Sequence, residues 1–426
     1  MADVKLYGAE GDGVKDDTRS LQHAVDEGAG DLDLGSGVYR ITQPIRIELA
    51  KTGYKGISGN RGTAKVIMAG PGPAFQVIGD HEGTAAPKSF KESTWEKTRF
   101  PVFTGFEILG EHPDGDGLEL FRTMQATVSN VLIRKCRIGI RLKTRNRNFL
   151  LADSHIYECS DTGLLFDECN LHQTNIIGNH ISYCARAGIR QYKGQPHNIQ
   201  ITGNDIEYNS GSDETSGEIL LEAGDGEYTR EFTIASNTIQ ATPDAKGANI
   251  RILGNRQGDP VGARLITITG NIIGNRARNI DIENASFLTL TGNIIYDGTE
   301  LNANFKNCAN IVLSSNTIGS REVDYTGEKI DGVRFEDCHS GMVTGNVFND
   351  CWLGYKESGG AVTLKGCREI AVTNNQILDP LHRGVWIESS SGCRIGDNTI
   401  LDRRPRSKMV EKTGGDGKGE NRIEEG

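Results

Sequence analysis

Apolar and polar positions along this chain fall into one phrase that keeps returning. An alternating apolar segment is followed by two small or polar residues, an Asn, a variable residue and an Ile or Phe. It reads ITGNDI at 201–206, IASNTI at 234–239, ITGNII at 268–273, LTGNII at 290–295 and LSSNTI at 313–318. Asn179, Asn204, Asn237, Asn271, Asn293, Asn316, Asn346, Asn375 and Asn398 mark the series at intervals of 22–34 residues. Looser copies centre on Phe106, Cys136 and Ser154. A second phrase lies between successive copies, beginning with Gly or Asn and alternating for five residues, as in Gly163–Asp167, Asn279–Glu283 and Gly332–Glu336. A period of two over so short a run predicts a strand with one buried face. Each repeat then supplies three short strands, too few to enclose a core alone. Parallel stacking of repeats ~4.8 Å apart buries one continuous apolar column. The repeated Asn suits a sharp turn, where the left-handed conformation is tolerated and its amide bonds along the stack.

The strand alternation assigns the two faces. Leu164 and Phe166, Ile219 and Leu221, Ile250 and Ile252, Ile280 and Ile282, and Val333 and Phe335 point inward. A first outward column runs Glu119, Arg141, Leu165, Arg190, Leu220, Arg251, Asp281, Asn304, Arg334, Thr363 and Trp386. A second runs Phe121, Lys143, Asp167, Tyr192, Glu222, Leu253, Glu283, Lys306, Glu336, Lys365 and Glu388. A slip of one residue would reverse both faces, so the clean inward set fixes the register.

The repeat resembles the right-handed parallel β-helix of the pectin lyase superfamily. The opening strengthens the likeness: Gly11-Asp12-Gly13-Val14-Lys15-Asp16-Asp17, then Leu32-Asp33-Leu34 and Gly37–Ile41, is similar to the start of polygalacturonases, phage tailspikes and mannuronan epimerases. In that family the motif precedes a helix capping the first coil. Here Asp16 or Asp17 N-caps a helix over 18–26 whose apolar face is Leu21, Ala24 and Val25. The expected architecture is an all-β, single-stranded right-handed parallel β-helix of about 11–12 coils. Residues 1–45 form the cap and first coil, 46–402 the helix, and 403–426 a polar tail. The resemblance also implies a carbohydrate ligand, a homotrimer, and a secreted or periplasmic location. Met1–Lys5 holds no apolar signal core.

Composition narrows the chemistry. A net charge of −10 disfavours a nucleic-acid partner, and no apolar run is long enough to insert into a membrane. Nine cysteines without CxxC spacing argue against structural zinc. Cys159, Cys184 and Cys351 share one repeat position, and Cys308, Cys338 and Cys367 another; buried free thiols are expected there.

By the resemblance, the outward columns line a groove for a polysaccharide or oligosaccharide. Charge gathers between residues 139 and 222, with Arg141, Lys143, Asp167, Arg190, Tyr192 and Glu222. His172 and His197 each follow their strand by five residues and are expected on one edge of the groove, one rung apart. The insertions 209–217 and 224–230 flank Glu222. Asp167 and Glu222, two rungs apart in one column, suit the acid and base of an inverting glycosidase. Arg190 neutralising a uronate, with Tyr192, His172 or Lys143 taking the C5 proton, suits a lyase or an epimerase. The expected catalytic set is Asp167, Glu222, Tyr192, Arg190 and His172; Arg141, Lys143, His197, Arg251, Asp281 and Glu283 contact substrate. Asp281 and Glu283 form a second-ranked carboxylate pair. No cofactor is required, with Ca²⁺ entering if the reaction is an elimination. Three smaller signals remain: Asp114–Gly117 as a Ca²⁺ turn, Asp379-Pro380-Leu381-His382 as an imperfect epimerase-like motif, and His155, His180 and Asp205 at one repeat position. A glycan-binding protein without catalysis is the rival reading.

Overall fold

The computed structural model describes residues 1–83, 86–212, 214–255, 262–320, 332–351, 359–380 and 382–402, with the backbone of 408–413 and 422–423. Leu381 of the 379–382 motif and most of the 403–426 tail lie outside the described residues. The chain divides into two units, Met1–Asn209 and Ser210–Gly426. Each is a parallel β-solenoid.

In the first unit the cap helix spans Thr18–Glu27, with Leu21, Ala24 and Val25 fully buried. The two aspartates of its motif divide the work. Asp16 caps the helix through the Thr18 amide at 3.0 Å and also takes the Thr42 hydroxyl at 2.7 Å. Asp17 instead accepts from the Glu10 and Gly11 amides at 2.8 and 3.0 Å, tying the preceding turn to the helix start. Behind the cap, six strands stack in the sheet expected to line the groove: Ile45–Glu48, Gly72–Ile78, Gly115–Phe121, Ile138–Arg147, Thr162–Ile177 and Ala187–Tyr192.

In the second unit eight strands stack in the corresponding sheet: Gly217–Glu222, Ala248–Leu253, Ile272–Glu283, Ile294–Lys306, Val333–Glu336, Val362–Lys365, Arg383–Glu388 and Lys408–Thr413. The fold therefore has about 14 turns and not 11–12. The additional turns come from Ile45–Glu48 and Gly72–Ile78, which precede the Asn phrase, and from Lys408–Thr413, where the tail adds a strand.

The inward face is as expected. Leu164, Phe166, Ile219, Leu221, Ile250, Ile252, Ile280 and Ile282 are fully enclosed, and Phe305 stacks on Phe335 with centroids 4.8 Å apart. Burying each such side chain contributes ~1.5–3 kcal/mol. The outward face differs. Glu119, Leu165, Leu220, Asp281, Thr363 and Trp386 of the first column are buried. Beside Leu220 in register, Arg251 bonds the Glu214 carbonyl at 2.7 Å.

The Asn series is a ladder of side-chain amides. Asn271 accepts the Asn237 backbone N–H at 3.0 Å and side-chain N–H at 2.9 Å, and donates to the Ile234 carbonyl and the Asn293 oxygen. The same pattern continues through Asn316, Asn346, Asn375 and Asn398. In the first unit Asn179 donates to Asn204 at 3.0 Å. The left-handed residue is not the Asn but the one before it, such as Gly270 at φ 63° or Ser236 at φ 56°. That turn aims the amide inward. A second ladder joins Asn249, Asn279 and Asn302 at 2.8 Å. In the first unit the matching positions are Gly117, Gly139 and Gly163; a Cβ on Gly139 would meet the Gly163 carbonyl at 2.5 Å.

All nine cysteines are free and buried. Burial pushes the thiols of Cys136 and Cys169 from 9.0 up to about 12.

Two outcomes test this frame. Asn293→Ala strands the donors of Asn271 and should cost ~1–3 kcal/mol in urea unfolding, by the price of unsatisfied buried groups. The thiols set a pH response: unfolded thiols ionise from 9.0 upward, while folded Cys136 and Cys169 hold their protons to about 12. Stability from this source is complete below pH 9 and falls as pH climbs toward 12. Melting temperature measured from neutral to alkaline pH should decline across that window, and less so in Cys136→Ala.

Candidate functional site

In the first unit, strand register places Glu119 beside Arg141 and Arg141 beside Leu165; Lys143 pairs with Asp167, Asp167 with Tyr192, and Leu165 with Arg190. Side-chain contacts gather on Arg141. Its guanidinium lies 3.0 Å from Asp116, 3.8 Å from Glu119 and 4.0 Å from Asp167. Asp116 is only 3% exposed and is also gripped by Arg137 through two bonds of 2.9 Å and by the Ile138 amide at 3.2 Å. Two guanidiniums on one carboxylate oppose a cation there, so Asp116 does not serve as a Ca²⁺ ligand in the 114–117 turn. It fixes Arg141 instead. Glu119 is held by Gln76 at 2.8 Å.

Asp167 is the accessible carboxylate of this cluster, its side chain 25% exposed. A register shift follows it, between Lys143 and Arg145, with Glu168 left-handed at φ 47°. Such a bulge re-aims the strand next to the carboxylate. Tyr192 is exposed, with the Arg190 guanidinium 4.8 Å and the Lys193 ammonium 4.9 Å from its ring centre. Lys143 and Arg190 are half-buried. The face is thus an anionic carboxylate surrounded by cations, with one aromatic ring held between two of them.

His172 and His197 do lie one rung apart, in direct register. Both are buried, however, with ring centres 3.4 Å apart at 75°. They sit within the wall of the coil and not at an open edge.

In the second unit, Glu222 is half-buried at the end of Gly217–Glu222 and pairs in register with Leu253. This strand starts from a buried ion pair: Arg276 meets Glu218 at 3.0 Å, both fully enclosed. Arg276 also bonds the Ser216 hydroxyl at 2.9 Å and the Lys246 carbonyl at 2.8 Å. Burial lowers the Arg276 pKa while the Glu218 charge opposes the shift. The insertion 209–217 is therefore anchored at its end by Arg276. Asp281 is buried and engaged by Arg278 at 3.1 Å, Asn304 at 2.9 Å and Arg251 at 3.9 Å. Glu283, its partner in the expected second pair, is half-buried. Asp281 thus anchors an ionic network, and the pair is not two matched open carboxyls. A cavity of about 840 Å³ lies on another sheet of this unit, among Leu265, Phe287, Val312 and Met342. It brings no acid–base pair together.

The profile described as "Right handed beta helix region" matches residues 102–239 and 219–400. The chain belongs to this right-handed β-helix family. Solved structures share the fold. A tailspike of E. coli bacteriophage HK620, solved in complex with a hexasaccharide, superposes with a TM-score of 0.55 at 11% identity, over 94% of this chain and 77% of that one. The Dettilon tailspike protein gives 0.53 at 15% identity, over 95% and 67%. The A-module of a mannuronan C-5 epimerase of Azotobacter vinelandii gives 0.48 at 14%, over 96% and 99%. No curated protein matches in sequence. No helix among the described residues is long and apolar enough to cross a membrane.

Sequence reasoning met Asp116 only as part of a possible Ca²⁺ turn and left out Arg137; the two set the position of Arg141 in this β-helix. The available signal was spacing: Asp116 precedes Glu119 by three residues and Arg137 precedes Arg141 by four, on paired strands. The buried pair Glu218–Arg276 had no such signal, because 58 residues separate its members.

Arg276→Met leaves Glu218 buried without its guanidinium and should destabilise the protein by about 3–5 kcal/mol in denaturant unfolding. The double variant with Glu218→Gln should recover part of that loss.

Proposed function

We propose that this β-helix cleaves glycosidic bonds in an acidic polysaccharide, with Asp167 as the proton-transferring group. The observation that carries the reading is the partly exposed Asp167 carboxylate, ion-paired to Arg141 and in register between Lys143 and Tyr192. Lys143, Arg141 and Arg190 supply the positive field that an anionic sugar chain requires. In hydrolysis, Asp167 protonates the leaving oxygen as the glycosidic bond breaks, and water adds to the sugar carbon and releases its proton to solvent. In β-elimination, Arg190 neutralises the uronate carboxylate, Tyr192 takes the C5 proton, the C4–O4 bond breaks as the C4–C5 double bond forms, and Asp167 protonates the departing oxygen. The buried His172 and His197 support the wall behind these groups. Ca²⁺ belongs only to the elimination route. The shared fold of the hexasaccharide-bound HK620 tailspike adds support for a saccharide ligand.

A binding-only reading draws on one separate observation. Tyr183 and Tyr208 stack nearly parallel, 5.6 Å between centroids and 8° apart, and Tyr183 is 59% exposed. Flat aromatic faces of this kind suit sugar rings as well as one another.

Purified protein on a panel of acidic and neutral polysaccharides decides between them. New reducing ends without an unsaturated chromophore mark hydrolysis; the chromophore marks elimination; retention without cleavage marks binding alone. On a cleaved substrate, Asp167→Asn should lower the rate by at least ~10²-fold, the usual worth of general acid–base catalysis. In a lyase, Arg190→Ala and Tyr192→Phe should cost more still. Parental rates in all three variants would overturn the assignment.

A further inference from the structure

We infer that His180, Asp205 and Glu207 form a binding site for a divalent transition-metal ion of the zinc type. They lie outside the sheet carrying Asp167, on the strands that follow the Asn turns. His155–Tyr157, His180–Ser182 and Asp205–Glu207 stack in parallel, with His155 beside His180 and His180 beside Asp205; Tyr157 pairs with Ser182 and Ser182 with Glu207. One ligating atom from each of His180, Asp205 and Glu207 lies within 4.8 Å of the others. A single ion bonded at ~2.0–2.2 Å spans such a set after small side-chain rotations.

Three further features favour a metal over a mere polar stack. First, the imidazole is already oriented. The Tyr157 hydroxyl lies 2.8 Å from His180 Nδ1, which turns Nε2 toward Asp205, 3.5 Å away. An oxygen partner on the second ring nitrogen is the usual device for fixing a metal-bound histidine. Second, Asp205 Oδ1 is shut off from solvent with no hydrogen-bond partner, although the rest of the side chain reaches water. A carboxylate oxygen in that state is costly, and a cation satisfies it. Third, the mount is rigid. His180 follows Asn179 and Asp205 follows Asn204, two rungs of the ladder joined at 3.0 Å, and Ile181 and Ile206 anchor both strands in the core.

The donor set selects the ion. One imidazole nitrogen with two carboxylates suits zinc, cobalt or manganese, whereas calcium prefers oxygen alone. All three side chains are half-buried, which leaves a coordination position open to water. The ion would join two successive rungs across their outer face.

The full chain, stripped with a chelator, is titrated with Co²⁺ and followed by visible absorption, then with Zn²⁺ by calorimetry. One equivalent should bind, with ligand-field bands and no thiolate charge-transfer band, and Zn²⁺ should displace Co²⁺ and raise the melting temperature. His180→Gln, Asp205→Asn and Glu207→Gln should each weaken Zn²⁺ binding by at least ~10-fold, the scale set by changes around a metal ligand. In chelator all three should melt with the parent. Failure of the parent to bind Zn²⁺, Co²⁺ or Mn²⁺ saturably, a thiolate band, or undiminished affinity in the variants overturns the inference. Should His180→Gln not fold, Asp205→Asn keeps the side-chain shape and decides the point alone.

Discussion

The side-chain amide of an inward-turned asparagine is the interaction on which each unit depends. A parallel coil must close every turn with a bend, and each bend leaves backbone groups facing the interior. Asn271 shows the solution: its oxygen receives two donors from one neighbouring rung, and its nitrogen reaches a carbonyl and the next asparagine. Because donor and acceptor sit on one planar group, an identical residue on each rung satisfies its neighbour. The left-handed residue before it, glycine in five of the nine copies, supplies the bend that makes this geometry available.

That repetition frees the outer face from any duty to hold the fold, but not from electrostatics. Strands ~4.8 Å apart bring outward charges within reach of one another, and a carboxylate between rungs finds a guanidinium. Asp116 and Asp281 meet this demand by becoming buried centres of arginine networks. Asp167 does not: it touches Arg141 only at the edge of ion-pair range and keeps contact with water. A carboxylate that a network has not fully absorbed retains the capacity to move a proton.

The coil, its inward residues and the register were legible because a period of two and a recurrent asparagine are local signals. The pairing of His172 with His197 followed from the same repeat. Depth was not legible. Whether Asp281 or Glu119 meets water depends on which side chains engage it, and these include residues a rung away, as with Arg251 and Gln76. The number of turns was underestimated because the strands at 45–48 and 72–78 come before the asparagine phrase begins. The anchoring of the 209–217 insertion was invisible because Arg276 reaches it from two rungs further on.

The nine enclosed thiols carry a consequence for biosynthesis. In the finished coil they are shielded from oxidants, and burial keeps Cys136 and Cys169 in the unreactive protonated form. No such shelter exists on a nascent chain. Each cysteine becomes safe only when the rung above it has closed, so protection spreads with the order of stacking. The protein's exposure to oxidative damage is then concentrated in the time it takes to fold, and the redox state of the compartment matters most while the last coils are still being laid down.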